Sequence, residues 1–508
     1  MTIQAQATGQ CDLFSPARRQ FDRIVAHLAS GKPETLAKTE EYLHVEGLEL
    51  QRRLLQARLD VLFERERAQL AAYPPAKDIE KRSRARQVES RFGRVVEHRH
   101  AHKQTGKPSQ FPLDEKLNVP ADLYSHSLRC RVAEEVADGS FDHAVAQIER
   151  TTGGHVPKRQ VQQLAVRAAQ DVERFYVERP QPANDTLSAR ALLVLSSDGC
   201  AIRMVREGLR EPTRRAAEKA EQEAETTVRG DPTAATQVKP HQTRRAVVTA
   251  VWEQERHKRT AADVVANLHR RPNDPERRQP ARVPRPQDKR LTASVEQDQR
   301  VRISEMFDEA DRRDPEQQRE TMVLVDGDEH QTEAIQQEAQ RRQRSLTLVL
   351  DLLHAMHYLW VAAKATTGRH GKSKPAQTEA LVSHWATMLL TGNPSRLVAT
   401  VRGTATRLRL RGKARQTVDG AADYLLKRKA FINYSSFIAR GLPIASGVIE
   451  GACRYLVRDR LDITGARWNV EDAEAVLSLR AVRASGDWDE YWEFHQQQEA
   501  QRNYPAAA

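Results

Sequence analysis

Cysteine is scarce and scattered: Cys11, Cys130, Cys200 and Cys453 are the only four in 508 residues. No two stand at C-x-x-C spacing, so the pattern forms neither a zinc cluster nor a disulfide framework and suits a reducing cytosol. Long apolar runs are also missing. The longest, "LTLVLDLLHAMHYLWVAA", is interrupted by Asp351, His354 and His357, which argues against a membrane span. The start, "MTIQAQATGQCDLFSPARRQ", lacks the apolar core of a signal peptide. The expectation is a soluble cytoplasmic protein. Aromatic residues make up only 5%, yet apolar residues reach 39% and recur in blocks, unlike a disordered chain.

Basic residues are abundant. Lys and Arg number 81 against 69 Asp and Glu, a net charge of +12, which favours a polyanionic partner. A chain of this length exceeds what one core serves, so several domains are expected. Residues 1–80 read as a helical or coiled region, with Leu48, Leu55, Leu59 and Leu62 on one face. Residues 81–120 form a linker in which Gly93 joins two alternating runs as a β-hairpin with a basic second strand.

Residues 121–180 read as a helix-turn-helix-like DNA-binding domain. Ser140 caps a helix with Ala144, Val145 and Ile148 inward; Gly153 and Gly154 make the turn; Pro157 opens a second helix anchored by Val161 and Leu164. Lys158, Arg159 and Gln162 then face outward near its start, where such a helix meets the major groove.

Beyond residue 185 the texture becomes α/β. "ALLVLSSDG" (191–199) reads as a buried strand ending at Asp198, "CAIRMVR" as its hairpin partner, and "RRAVVTAVWE" (244–253) as a third strand. "RRPNDPERRQPARVPRPQDKR" reads as an extended linker. "TMVLV" and "SLTLVLD" follow as strands ending at Asp326 and Asp351, each leading into a helix. His357, Tyr358 and Trp360 continue into core. The first catalytic part is expected over 185–365, a helical insertion over 366–440, and the Glu450 helix with the tail over 441–508.

The fold class expected is α/β, a ribonuclease-H-like mixed sheet with a helical insertion, preceded by a mostly helical DNA-binding region. In such a sheet the first and fourth strands are neighbours, which sets Asp198 beside Asp326 with Glu450 laid across them. Three clustered carboxylates repel unless cations lie between them, and hard oxygen ligands favour Mg2+ or Mn2+. Each acid also has a plainer reading: Asp198-Gly199 and Asp326-Gly327 are good turn pairs, and Glu450 could pair with Arg454 one helical turn on.

The stretches "SSDG", "LVDGDEHQTEAI", "DLLHAMHYLW", "LPIASGVIEGACRYLVRDRLDITGARW" and "SGDWDEYW" resemble the DDE transposases of bacterial insertion sequences, specifically the ISKra-four family, distantly Mutator-like. "RFGRVVEHRHAHK", "FPLDEKLNVP" and "SFDHAVAQIERTTGGHVPKRQ" also look familial, so the resemblance covers roughly residues 85–495. It implies metal-dependent cleavage of DNA ends and strand transfer, with Asp198 as first acid and Glu450 as last. Asp326 is the middle acid by topology, and Asp351, in a D-x-x-H match with His354, is the alternative. It also implies double-stranded DNA partners, the element's terminal repeats and target DNA. A homodimer or larger synaptic complex in a nucleoid-associated setting follows. Arg454, Arg458 and Arg467 are candidate phosphate contacts; Trp468 either stacks on a base or joins the core.

Overall fold

The computed structural model describes residues 12–31, 33–73, 79–104, 106, 109–180, 191–230, 242–268, 284–368, 375–463 and 465–505. It is mixed α/β and divides into two compact units, Met1–Glu178 with Asp487–Ala508, and Arg179–Gly486.

The first unit begins with helices α1 (Ser15–Ala29) and α2 (Leu36–Ala72). Thr35 caps α2 through its side-chain oxygen, satisfying one of the free N–H groups of the first turn. The antiparallel hairpin β1 (Ile79–Ser90) and β2 (Gly93–Gln104) follows. Its turn needs the glycine, because Gly93 has φ +112°, a region closed to ordinary side chains. Leu55, Leu59 and Leu62 of α2 line a cavity with Val88 and Val95 of the hairpin, so the leucine face lies toward the hairpin. Across it, the Gln56 amide both donates to Val96 O and accepts from Val96 N, each at 2.8 Å.

Helices α3 (Pro112–Leu117), α4 (His126–Asp138), α5 (Phe141–Thr151), α6 (Lys158–Ala169) and α7 (Val172–Glu178) complete the run. Ser140 caps α5, its hydroxyl oxygen accepting from His143 N at 3.1 Å. Ala144, Ile148, Val161 and Leu164 are buried, and Val145 is half-buried. Helices α4, α5 and α6 all pack on one another. The turn comes so close to the hairpin that a Cβ on Gly153 would meet Phe92 O. The C-terminal helix Trp488–Asn503 docks on the same unit. Its Tyr491 hydroxyl donates to Ala168 O, and His495 meets Asp171 at 2.6 Å. Trp492 is buried and Trp488 half-buried.

The second unit is built on strands β3 (Leu192–Arg203), β4 (Thr243–Gln254), β5 (Gln287–Ser294), β6 (Thr321–Val325) and β7 (Leu346–Leu350). Helices α8 (Glu211–Gly230), α9 (Ala261–Leu268), α10 (Gln299–Arg313) and α11 (Glu329–Arg341) join them. The sheet order is β5-β4-β3-β6-β7. The first three strands pair antiparallel and the last three parallel. The parallel strands are continuous apolar runs because both faces are covered. On one face Leu193, Leu195, Val323 and Val325 pack with Ile303, Phe307 and Ile335 of α10 and α11.

Two expectations about this sheet fail. "CAIRMVR" (200–206) is not a hairpin partner: its first four residues are the end of the 12-residue strand β3, whose antiparallel partner is β4, and the rest follow that strand. Asp198-Gly199 therefore sits mid-ladder, opposite Val248 and Val247. The glycine serves approach rather than turning, since a Cβ there would strike the Arg245 guanidinium. The missing third strand is β5, whose first residues end the stretch read as a linker; residues 270–283 of that stretch lie outside the described residues.

After β7 come α12 (Leu352–Thr367), α13 (Pro375–Thr391), α14 (Pro394–Arg407), α15 (Gly412–Lys427) and α16 (Tyr434–Ala439). Helix α12 buries Leu352, Ala355, Met356, Leu359, Ala362 and Ala363, an i, i+3, i+4, i+7 face. His357 falls off that face and is exposed, while Tyr358 and Trp360 are only half-buried, contrary to the expectation of core. Tyr358 instead stacks on Tyr424 of α15 at 3.6 Å. A buried arginine pins the amino ends of β6 and β7. Arg344 donates to Asp311 at 3.0 Å, Thr321 at 2.9 Å and Asp314 O at 2.7 Å. Arg344→Ala strands Asp314 in the interior, and breaking a buried pair costs about 3–5 kcal/mol; urea denaturation should register a loss of that size.

Candidate active site

In the parallel half of the sheet, Ser196 pairs with Leu324 and Val325 with Leu350. Two residues past the first pair stand Asp198 and Asp326; one past the second stand Asp326 and Asp351. The three aspartates thus form one row, Asp326 and Asp351 just past the carboxyl ends of β6 and β7 and Asp198 level with them in the middle of β3. Side chains alternate between faces with period two. Since Leu193, Leu195, Val323, Val325, Leu346 and Leu348 face α10 and α11, Asp198, Asp326 and Asp351 project to the opposite face.

That face carries α17 (Gly447–Ala452), which continues as a six-residue π-helix, Cys453–Arg458, and a final turn α18 (Asp459–Leu461). Ser446 caps it, accepting from Ile449 N at 3.1 Å. Glu450 is exposed and has no hydrogen bond or ion pair among the described residues. It does not pair with Arg454, which reaches Asp459 at 3.4 Å instead.

The acids differ in how they are held. Asp198 Oδ1 accepts from Gly199 N at 2.6 Å, and Oδ2 accepts from the Cys453 thiol at 3.4 Å. Asp326 Oδ1 accepts from Asp328 N at 2.8 Å. Its loop is gripped by α15. Tyr424 Oη donates to Asp326 O and Arg428 Nε to Gly327 O, both at 2.6 Å. Gly327 has φ +88° and no room for a Cβ beside Arg428 and Tyr424. Asp351 is buried, with Oδ1 accepting from Leu353 N and Oδ2 from Ser446 N, each at 2.7 Å. Asp351 therefore caps α12 and ties it to the segment entering α17. His354 lies 4.0 Å from Asp351, its Nδ1 buried without a hydrogen bond.

Electrostatics link the group. Burial pushes the Asp326 carboxyl above the ordinary carboxylate range, and the charge of Asp198 adds to it, against the pull of the Asp328 N–H and His354. Burial also raises Glu450, helped by Asp351 and Asp198 and opposed by His354 and Arg458. The hydrogen bond with Cys200 raises the Cys453 thiol, and burial and Asp198 raise it further. Each acid is repelled by others in the set, which is the setting a divalent cation relieves. Even so, among the described residues no three His, Cys, Asp or Glu side chains converge to metal-holding distance.

Around the site, Arg458 and Arg467 are exposed. Trp468 is buried, donates to Leu461 O at 3.1 Å and lies under Arg460, so it belongs to the core. In the first unit, Lys158 is exposed but paired with Asp142 at 2.7 Å. Arg159 is exposed and Gln162 half-buried. Sequence reasoning missed Cys453, Cys200, Ser446, Tyr424 and Arg428. Cys453 alone carried a signal, standing one helical turn after Glu450 on the same face.

Asp326→Asn keeps the acceptor for Asp328 N–H while removing the charge. A carboxyl raised in the folded state lowers stability as pH climbs through its unfolded value near about 4. With a chelator present, Asp326→Asn should melt with wild type in acid and increasingly above it as pH rises, levelling off above the folded-state value; thermal melts across pH check this. No family model matches the chain, and no curated protein matches it closely enough to count.

Proposed function

We propose that this protein is a DDE-type DNA transposase of an insertion sequence, binding element ends and catalysing metal-dependent strand cleavage and strand transfer. Its second unit is read as a ribonuclease-H-like catalytic domain interrupted by a helical insertion. The observation that carries the reading is the shared row of Asp198 and Asp326 on the sheet face that also receives the Glu450 helix. The resemblance of the flanking motifs to the ISKra-four family supports it.

Asp198, Asp326 and Glu450 are the side chains that would hold Mg2+ or Mn2+. They offer hard oxygens, and Glu450 has no hydrogen bond or ion pair among the described residues. Ions bound there activate a nucleophile and stabilise the leaving oxygen of a phosphoryl transfer. Asp326 is preferred to Asp351 as the middle acid because β6 is the direct neighbour of β3, which sets Asp326 beside Asp198, whereas Asp351 follows β7, one strand further off. His354, 4.0 Å from Asp351 and acting electrostatically on Asp326 and Glu450, is an auxiliary group. Arg454, Arg458 and Arg467 on and beyond the Glu450 helix would meet DNA phosphates, adding sequence-independent, salt-sensitive affinity. The α5–turn–α6 segment is read as a helix-turn-helix directed at terminal DNA through Lys158, Arg159 and Gln162, in a dimer or larger synaptic assembly.

The test is purified protein with terminal DNA, target DNA and Mg2+. Strand joining is expected; cleavage without joining points to a nuclease on the same sheet, and a bound, uncut duplex to a silent DNA-binding descendant. Asp198→Ala, Asp326→Ala and Glu450→Ala should each abolish cleavage with end binding kept within a few-fold. Asp351→Ala, by contrast, leaves two N–H groups unpaired and should cost about 1–3 kcal/mol of stability. Full activity in Asp326→Ala with folded, inactive Asp351→Ala would move the ligand to Asp351. Lys158→Ala with Arg159→Ala should weaken end binding and lower the slope of affinity against salt, by roughly one for each phosphate no longer neutralised.

A further inference from the structure

The Asp198 carboxylate is fixed at both oxygens. The Gly199 N–H contact is local, but the thiol on Oδ2 comes from Cys453, 255 positions along the chain. Cys453 lies on the helix that carries Glu450, one turn further on. Its side chain is buried, and its carbonyl accepts from Cys200 Sγ at 3.9 Å. Cys200 shares a face of β3 with Asp198, two residues away. Asp198, Cys453 and Cys200 thus close a ring of contacts between the strand of the first acid and the helix of the last.

We propose that Cys453 is a positioning residue for Asp198: its S–H fixes the rotation of the carboxylate and couples it to the helix of Glu450, so both acids meet a divalent cation as a pre-set pair. The inference rests on the reading of Asp198 and Glu450 as cation ligands. The chemistry of the donor suits the task. A carboxylate oxygen has two lone pairs, so one bond at each leaves one at each for an ion. A thiol is a weak, neutral donor; it orients the carboxylate without cancelling the charge that attracts the cation, as lysine or arginine would. Partners of this kind, one step behind a ligand, commonly change metal affinity about 10–100-fold when removed.

Mn2+ uptake by the full-length protein without DNA, followed by the loss of the free-ion paramagnetic signal, tests this apart from catalysis. Cys453→Ala should weaken uptake by about 10-fold or more, and Cys453→Ser, which keeps a donor, should stay close to wild type. Thermal stability should rank the other way, alanine at or above serine, because buried cysteine behaves as a small hydrophobe. Should the alanine variant not fold, Cys453→Val carries the same expectation. A thiol that only fills space would place alanine ahead of serine in both measurements, and that result overturns the positioning role. Uptake lost in Asp198→Ala but unchanged in Cys453→Ala overturns the positioning role alone. Uptake equal in wild type and Asp198→Ala overturns the metal reading beneath it.

Discussion

The parallel pairing of β3 with β6 is the constraint on which the candidate site depends. Four residue pairs define that ladder, and its register decides which side chains stand level where it ends. A shift of one residue would send Asp326 to the face covered by α10 and α11, because successive side chains alternate. The apolar residues flanking the acids therefore do two things. They form the core with α10 and α11, and by filling that face they leave the acids only the other.

Against that face, the chain uses its long insertion as a brace. Helix α15 supplies Tyr424 and Arg428 to the carbonyls of Asp326 and Gly327, while Tyr358 of α12 stacks on Tyr424 and the Arg428 guanidinium also lies over the Tyr424 ring. Asp351 adds a second tie through its bonds to Leu353 and Ser446. Repulsion among Asp198, Asp326 and Asp351 is thus resisted by thiol and backbone N–H contacts, while Glu450 has no hydrogen bond or ion pair among the described residues.

Much of this was legible in the chain, though not always for the right reason. Strands β3, β4, β6 and β7 announced themselves as apolar runs, and the strand count before β6 was three, as expected. The second member was misplaced: Asp198-Gly199 carries the composition of a tight turn, but Gly199 is needed for the passage of Arg245. Strand β5 was hidden because its polar start, Gln287–Arg290, continues a proline- and arginine-rich stretch. Glu450 stood out by its small neighbours. What could not be seen was how each carboxylate is held, Asp351 by Leu353 N and Ser446 N and Asp198 by the Cys453 thiol, because those partners come together only in the tertiary structure.

The π-helical turn after Glu450 has a bearing on how this chain can vary. Such a turn holds one residue more than ordinary winding, and each residue of an α-helix advances the direction of its side chains by about 100°. Excising a single position between Cys453 and Arg458 would let the remaining residues close to ordinary winding, with the segments on either side keeping nearly their present facing. The same excision between Ser446 and Glu450 would instead turn the acid away from the sheet, so the helix can absorb a one-residue change in length after Glu450 but not before it.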